Sequence, residues 1–258
     1  MPADPRDRAA RFFDLNPEIP DDLPFYRRLV DARPTTLLEL GCGTGRVLVA
    51  LAGQCSYAHG VELSAAMLAI CRGKLAAAAI PAPRVGLTLG DITDFELGRR
   101  FDLVVAPYRV FQNLAADAEV AGFFRCAHRH LEPGGALVVS AFRPAADPAT
   151  TRANWASPDE RPGWEVNVGT RRVRHLHRRV RPEPEPLVLH PELIYRVYEG
   201  DSLVEEVVLP ISMRCYWPDQ LGAVVEAHGF SVTARWGGYA GEPYGEGPEL
   251  VLAARRRG

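Results

Sequence analysis

The sequence predicts an α/β fold: a doubly wound, mostly parallel sheet of seven strands that closes in an antiparallel hairpin and carries an inserted antiparallel β lobe. Three observations predict it. Strand-length runs at Leu37–Leu40, Tyr57–Glu62, Val85–Leu89, Phe101–Ala106 and Ala136–Ser140 alternate with stretches of helical period, as in successive β-α-β units. From about 143 to 215 Pro and Arg become frequent, apolar and polar residues take turns, and the helical period disappears, which suits antiparallel strands joined by turns. Finally, Phe230–Trp236 and Glu249–Ala254 flank a loop rich in Gly, Pro and Tyr and read as a closing hairpin.

Residues 1–33 mix Pro, Asp and Arg with the aromatic pairs Phe12-Phe13 and Phe25-Tyr26, and Pro24–Val30 suits an amphipathic helix. Leu37-Leu38-Glu39-Leu40 suits a short buried strand. Glycines follow at 41, 43 and 45, where a Cβ would stop the backbone from turning tightly or approaching a ligand. A helix then begins, and its first N–H groups, lacking partners inside the helix, offer a ligand donors and a positive dipole end. Glu62 ends the second strand, at roughly the spacing from Gly41 at which an acid accepts hydrogen bonds from a ribose. Strand, glycine loop, helix, strand, acid is the order of a nucleoside site. The dinucleotide pattern G-x-G-x-x-G needs a glycine where the chain has Arg46, so the pattern here is G-x-G-x-G.

Glu39-Leu40-Gly41-Cys42-Gly43-Thr44-Gly45 closely resembles the first motif of the class I S-adenosylmethionine-dependent methyltransferases, built on a Rossmann-like sheet. The resemblance covers roughly residues 24–144 and 217–255. It implies S-adenosylmethionine as cofactor, with Glu39, Gly41, Cys42, Gly43, Gly45 and Arg46 around its methionine part and Glu62 at its ribose, next to Leu63. Ser64 can cap a helix whose one face carries Met67, Leu68, Cys71 and Leu75. Pattern alone places Met67 in the core, whereas the resemblance lays it against the adenine. Asp91, after Leu89-Gly90, is either a turn residue or the acceptor for the adenine amino group, with Ile92 packing on the ring. Tyr26 is either a packing residue or, by the resemblance, a lid. Ala106, at the end of the fourth strand, completes the cofactor set. The Leu131-Glu132-Pro133-Gly134-Gly135 turn before the fifth strand is a further shared feature.

Ligands of open parallel sheets bind at the carboxyl ends of the strands, so the loop after Ala106 should face the transferable methyl. Tyr108, Arg109, Gln112 and Asn113 are therefore the candidates for touching the acceptor, each equally able to be a structural contact. Arg109 would suit a carboxylate or phosphate. No residue stands out as a general base, so the catalytic residue is unassigned. Helices are expected over 117–131 and 217–229. The dense charge run Arg171–Arg181 is either the solvated face of a strand or a patch receiving an acidic substrate. His175 and His177 share a strand face, but two ligands without a third make no metal site, and no acid pair suits magnesium.

The expected organisation is an N-terminal helical cap (1–33), a cofactor-binding domain (34–144 and 216–258) and an inserted β-rich substrate lobe (145–215). The 258 residues, 47% hydrophobic and 24% charged, describe an ordinary globular protein, and a net charge of −2 gives no overall attraction to nucleic acid or an anionic membrane. Five scattered cysteines without a C-x-x-C spacing read as reduced thiols. No secretory signal or membrane-length apolar run is visible, so a cytoplasmic location is expected. The expected partner is a small-molecule substrate, with no nucleic acid and no membrane, in a possible homodimer. The resemblance implies methyl transfer to nitrogen or oxygen of that molecule; the alternatives are a non-catalytic S-adenosylmethionine-binding or regulatory protein and a nicotinamide-dependent oxidoreductase.

Overall fold

The structure, a computed structural model, describes residues 4–30, 35–155 and 157–257. After helix α1 (Pro5–Ala9) and helix α2 (Leu23–Val30), strand and helix alternate: β1 (Thr36–Leu40), α3 (Arg46–Ala52), β2 (Tyr57–Glu62), α4 (Ala65–Ala77), β3 (Val85–Leu89). The second half of the sheet follows with β4 (Phe101–Ala106), α5 (Asp117–His130) and β5 (Leu131–Phe142). Then come α6 (Pro148–Asn154), β6 (Glu160–Val168), β7 (Arg171–Pro184), β8 (Leu187–Glu199), β9 (Ser202–Pro210) and β10 (Met213–Arg214). Helix α7 (Pro218–Ala227) and strands β11 (Phe230–Trp236) and β12 (Glu249–Arg256) complete the chain.

The chain divides into two units, Asp21–Ala145 with Cys215–Gly258, and Met1–Pro20 with Ala146–Arg214. In the first, seven strands lie in the order β11-β12-β5-β4-β1-β2-β3. β1 runs parallel to both β2 and β4, and β12 is antiparallel to both β5 and β11. The chain winds outward from β1 to β3 and returns to β4 on the other side, which opens a crevice at the carboxyl ends of β1 and β4. Strand side chains alternate between faces, and here both faces are covered. Leu37 and Val105 pack in one apolar cluster with Val47, Leu48 and Leu51 of α3, while Leu38 and Val104 pack in another with Phe123 and Phe124 of α5. Burial on both faces is why β1 reads as a continuous apolar run.

In the second unit β10, β8, β7 and β6 form a sheet, with β9 also paired to β8. Three arginines of the charge run have acidic partners on neighbouring strands: Arg171 with Glu199, Arg174 with Glu165, Arg178 with Glu192. His175 stacks on Trp164 with ring centres 5.1 Å apart, and no metal-binding cluster occurs among the described residues.

Two expectations are corrected here. The stretch after residue 143 holds a helix as well as strands, because the Asp147 carboxylate caps α6 by accepting from the Thr150 N–H at 3.0 Å and Pro148 presets its first turn. The N-terminal residues are also not one cap. Phe12 stacks on Tyr195 at 4.8 Å, and Ala9 and Phe12 join Trp164, Val197 and Leu209 in one core, so residues up to Pro20 go with the lobe while α2 packs in the sheet unit. The boundary expected at residue 33 lies outside the described residues. All five cysteines are buried free thiols, and no described helix is long and apolar enough to cross a membrane.

Candidate active site

The glycine loop turns sharply because all three glycines take positive φ, 70° at Gly41, 55° at Gly43 and 84° at Gly45. The Gly41 and Cys42 N–H groups both donate to the Val61 carbonyl, at 2.8 and 3.1 Å, which ties the loop to the end of β2. A Cβ at Gly41 would stand 2.6 Å from Val110 Cγ1, and one at Gly45 2.4 Å from Cys71 Sγ. At Gly43 the nearest neighbour of a Cβ is Met67 Sδ at 3.9 Å. Two of the glycines are thus required by packing, while Gly43 leaves open ground over bare backbone.

Glu62 faces that ground with its carboxylate held from both sides. Oε2 accepts from the Gly43 N–H at 3.0 Å, and Oε1 accepts from the Ser64 N–H at 2.8 Å. The residue is only 5% exposed, and each oxygen keeps a second lone pair. Ser64 caps α4 as its sequence position suggests, its hydroxyl accepting from the Met67 N–H at 3.1 Å.

Beneath the loop lies a buried acidic cluster. Glu39, near the end of β1, is 3% exposed, and its Oε2 has no hydrogen-bond partner among the described residues. Burial, with Cys71 and Asp22 nearby, pushes its carboxyl well above the usual range, against the pull of the Arg46 guanidinium and the Leu48 N–H. Arg46 is gripped by the fully buried Asp22, Nη1 on one oxygen and Nη2 on the other at 2.7 Å, a fork that fixes the guanidinium plane. It also lies over the Tyr108 ring, 5.8 Å from its centre. Tyr26 is fully buried, with its ring 6.0 Å from that of Tyr239 and edge-on to Phe25 at 5.2 Å, so it stands as a fixed wall. Burial, then Tyr239 and Asp22, raise its hydroxyl pKa well above normal.

Met67 is buried beside the loop, whereas Leu63 is 56% exposed. Ala106 is buried at the tip of β4 and Ile92 packs on the same core as β4. Asp91 is exposed, and its Oδ1 accepts from both the Thr93 N–H at 2.8 Å and the Thr93 hydroxyl at 2.7 Å, the turn arrangement weighed from sequence.

The four acceptor-loop candidates separate. Tyr108 and Arg109 take positive φ, 51° and 66°, uncommon for residues with side chains. Arg109 is held there. Its N–H donates to the Ser140 hydroxyl at 3.2 Å and its Nε to Glu249 Oε1 at 3.1 Å, while Nη2 pairs with the same carboxylate. Glu249 is buried, which raises its pKa, and Arg109 opposes that rise. Gln112 is fully buried and its Oε1 accepts from the Phe142 N–H at 2.7 Å. Arg109 and Gln112 therefore anchor the loop to β12 and β5, leaving half-buried Tyr108 and exposed Asn113 as the side chains open to a ligand.

The methyltransferase domain profile matches residues 37–135, the stretch from β1 to the turn within β5. These residues therefore carry a methyltransferase domain. Over 118 residues the chain is 36% identical to the dTDP-3-amino-3,6-dideoxy-alpha-D-glucopyranose N,N-dimethyltransferase of Streptomyces fradiae, a match covering 46% of this chain and 44% of that protein. The chain spans about half the length of the curated relatives it matches. Among solved structures, the CcbJ methyltransferase from Streptomyces caelestis superposes with a TM-score of 0.74 and 26% identity, over 98% of both chains. An S-adenosylmethionine-dependent methyltransferase from Clostridium acetobutylicum shares the fold at 13% identity, with a TM-score of 0.77 over 98% of this chain and 99% of that one.

The methyltransferase domain supplies the glycine loop, Glu39, Arg46, Glu62 and Met67, but Asp22, Tyr26, Tyr239 and Glu249 lie outside the matched residues. Sequence reasoning missed three of these. Asp22 carried a signal, an acid just before a helix that starts Leu23-Pro24, and so did Glu249, an acid opening a strand that is otherwise apolar. Tyr239 follows Gly237-Gly238 in an irregular loop and carried none.

Proposed function

We propose that the chain transfers a methyl group from S-adenosylmethionine to an amine nitrogen of a small molecule, and that the acceptor is an amino sugar. The observation that carries this reading is the Glu62 carboxylate, buried and oriented by two backbone N–H groups over the open ground at Gly43. The residues fit the cofactor: Glu62 has lone pairs left for sugar hydroxyls, and Glu39 Oε2 is a buried acceptor that an ammonium group would satisfy. When bound, the cofactor supplies a methyl already activated by a positively charged sulfur. The protein then has to align the acceptor and exclude water, and alignment can contribute ~7–11 kcal/mol at most.

The surroundings favour nitrogen over oxygen. An uncharged amine attacks with its own lone pair, whereas a hydroxyl needs a base to take its proton. Glu249, the acid bonded to the acceptor loop, is occupied by Arg109, so no base is assigned and the amine arrives already neutral. The amino-sugar identity is supported by the relatives, three of which are N,N-dimethyltransferases of dTDP-linked amino sugars. The buried free thiols support a cytoplasmic setting.

The test is mass spectrometry of amino sugars and their hydroxyl counterparts incubated with protein and S-adenosylmethionine, beside calorimetry with S-adenosylhomocysteine. A gain of one or two methyl groups on the amines alone is expected. Binding of the homocysteine compound with no methylation of any acceptor would leave a binding protein, and no binding would remove the reading altogether.

A further inference from the structure

The lobe unit holds a cavity of about 830 Å³ on the strand face beside α6 that the methyl-transfer reading does not use. Its walls include Arg152, Trp155, Arg178, Arg179, Val180 and Glu192, with alanine and proline side chains between them. One of the three cations is already neutralised, since Arg178 donates from Nε to Glu192 at 2.7 Å. The other two are not. Arg152 has no acidic partner among the described residues, and Arg179 spends Nη1 on the Asn154 carbonyl. The Arg179 Nε is buried without a hydrogen-bond partner among the described residues. A buried guanidinium donor without a partner costs free energy that a ligand acceptor would recover.

Two further observations define the ligand. The Arg179 guanidinium lies over the Trp155 ring, 5.2 Å from its centre, so a flat apolar surface and a cation share one wall. The chain as a whole carries a net charge of −2, so this local excess of positive charge is not the general character of its surface. Burial and the neighbouring Arg161 lower the Arg179 pKa, the direction expected where cations crowd without a counter-anion. Two unneutralised arginines, an indole face and apolar walls call for a planar ring joined to two or three negative charges.

We propose that this lobe cavity binds a nucleoside diphosphate, its base against Trp155 and its phosphates on Arg152 and Arg179. The same chemistry could come from a free nucleotide or from an acceptor sugar that carries one. Only the second source rests on the amino-sugar reading above.

Thymidine diphosphate, thymidine and inorganic pyrophosphate are titrated calorimetrically into the full-length chain and into Arg152→Glu, Trp155→Leu and Val180→Trp. The last substitution fills the cavity from an exposed position and removes no contact of the lobe core. The diphosphate is expected to bind, and the base-free and phosphate-free halves to bind at least about tenfold more weakly. Each substitution should weaken the diphosphate about tenfold, as loss of a stacking face or a charge-assisted contact does, while leaving S-adenosylhomocysteine affinity unchanged. A diphosphate that fails to bind, or binds alike to all four proteins, overturns the proposal. A second arm separates the sources: if the acceptor carries the nucleotide, Val180→Trp raises KM for a thymidine-diphospho-amino sugar and not for the free amino sugar. If the ligand is a free nucleotide, KM for both stays the same while diphosphate binding is still lost. S-Adenosylhomocysteine binding and methylation of free amino sugars report on the methyl-transfer reading independently.

Discussion

Glu62 and Glu39 do different work with the same functional group. Glu62 is held by two backbone donors and keeps a lone pair on each oxygen, while Glu39 sits deeper with one oxygen unanswered. On the proposed reading Glu62→Ala loses both the ligand contacts and the clasp on the Gly43 N–H. Calorimetry with S-adenosylhomocysteine should show affinity falling by about 10- to 100-fold, as expected when one or two charge-assisted hydrogen bonds disappear. Glu62→Gln keeps the shape but turns half of the acceptor into a donor, and should fall in between. Glu39→Gln makes a cleaner probe of the cluster: if Oε2 receives an ammonium, affinity drops while the melting temperature holds or rises, because a buried acid has been removed. A melting temperature that falls with affinity intact would make Glu39 a structural residue.

At the scale of elements, the glycine loop separates packing from binding. Gly41→Ala meets Val110 and a positive φ, so it should cost about 1–3 kcal/mol of stability in urea titrations. Gly43→Val pushes its side chain onto open ground instead. It should block S-adenosylhomocysteine binding, with a stability cost set by the positive φ of 55° rather than by a clash, and normal binding would place the ligand elsewhere. The acceptor loop admits a double-mutant cycle: Arg109→Ala leaves Glu249 buried and alone, at a cost of about 3–5 kcal/mol, while Arg109→Met with Glu249→Leu should cost far less. The loop's glycines, Glu62 and Ser64 were legible in the sequence because their meaning is local: a turn, a cap, a spacing within one β-α-β unit. What Arg109 and Gln112 do was not legible, because their partners, Glu249 and Phe142, reach them only through the sheet order. Helix α6 was missed although Asp147-Pro148 announced its start, since the surrounding alternation outweighed a short helical period.

Across the whole molecule the parallel sheet followed from its apolar runs, but the grouping of residues 1–20 with the lobe did not, because it rests on aromatic packing between segments far apart in the chain. The two units share a response to acid. Burial first, with nearby cationic groups, lowers the pKa of His59 in the sheet unit and of His175 in the lobe to about 4, so both stay neutral in the fold. Unfolded imidazoles take up protons from about pH 6.5, so the unfolded state binds more protons between about 6.5 and 4. The stability tied to these two neutral rings is fully present above about pH 6.5 and is lost as the pH falls toward 4. Urea midpoints measured at pH 7.5, 6 and 5 should therefore fall, and fall less in His59→Gln with His175→Gln. On the proposed reading methylation should run the same way for another reason: with no base assigned among the described residues, kcat/KM should climb with pH until the acceptor amine is fully uncharged.

The Arg109–Glu249 pair also sets a timetable. Tyr108 and Arg109 keep their uncommon backbone shape through a carboxylate that the ribosome adds some 140 positions later. While the chain is being made, the glycine loop and acid proposed to hold the cofactor are complete long before the surface proposed to meet the acceptor acquires its form. Nascent chains stalled just short of Glu249 and just beyond β12 would show whether capture of the donor precedes competence to use it.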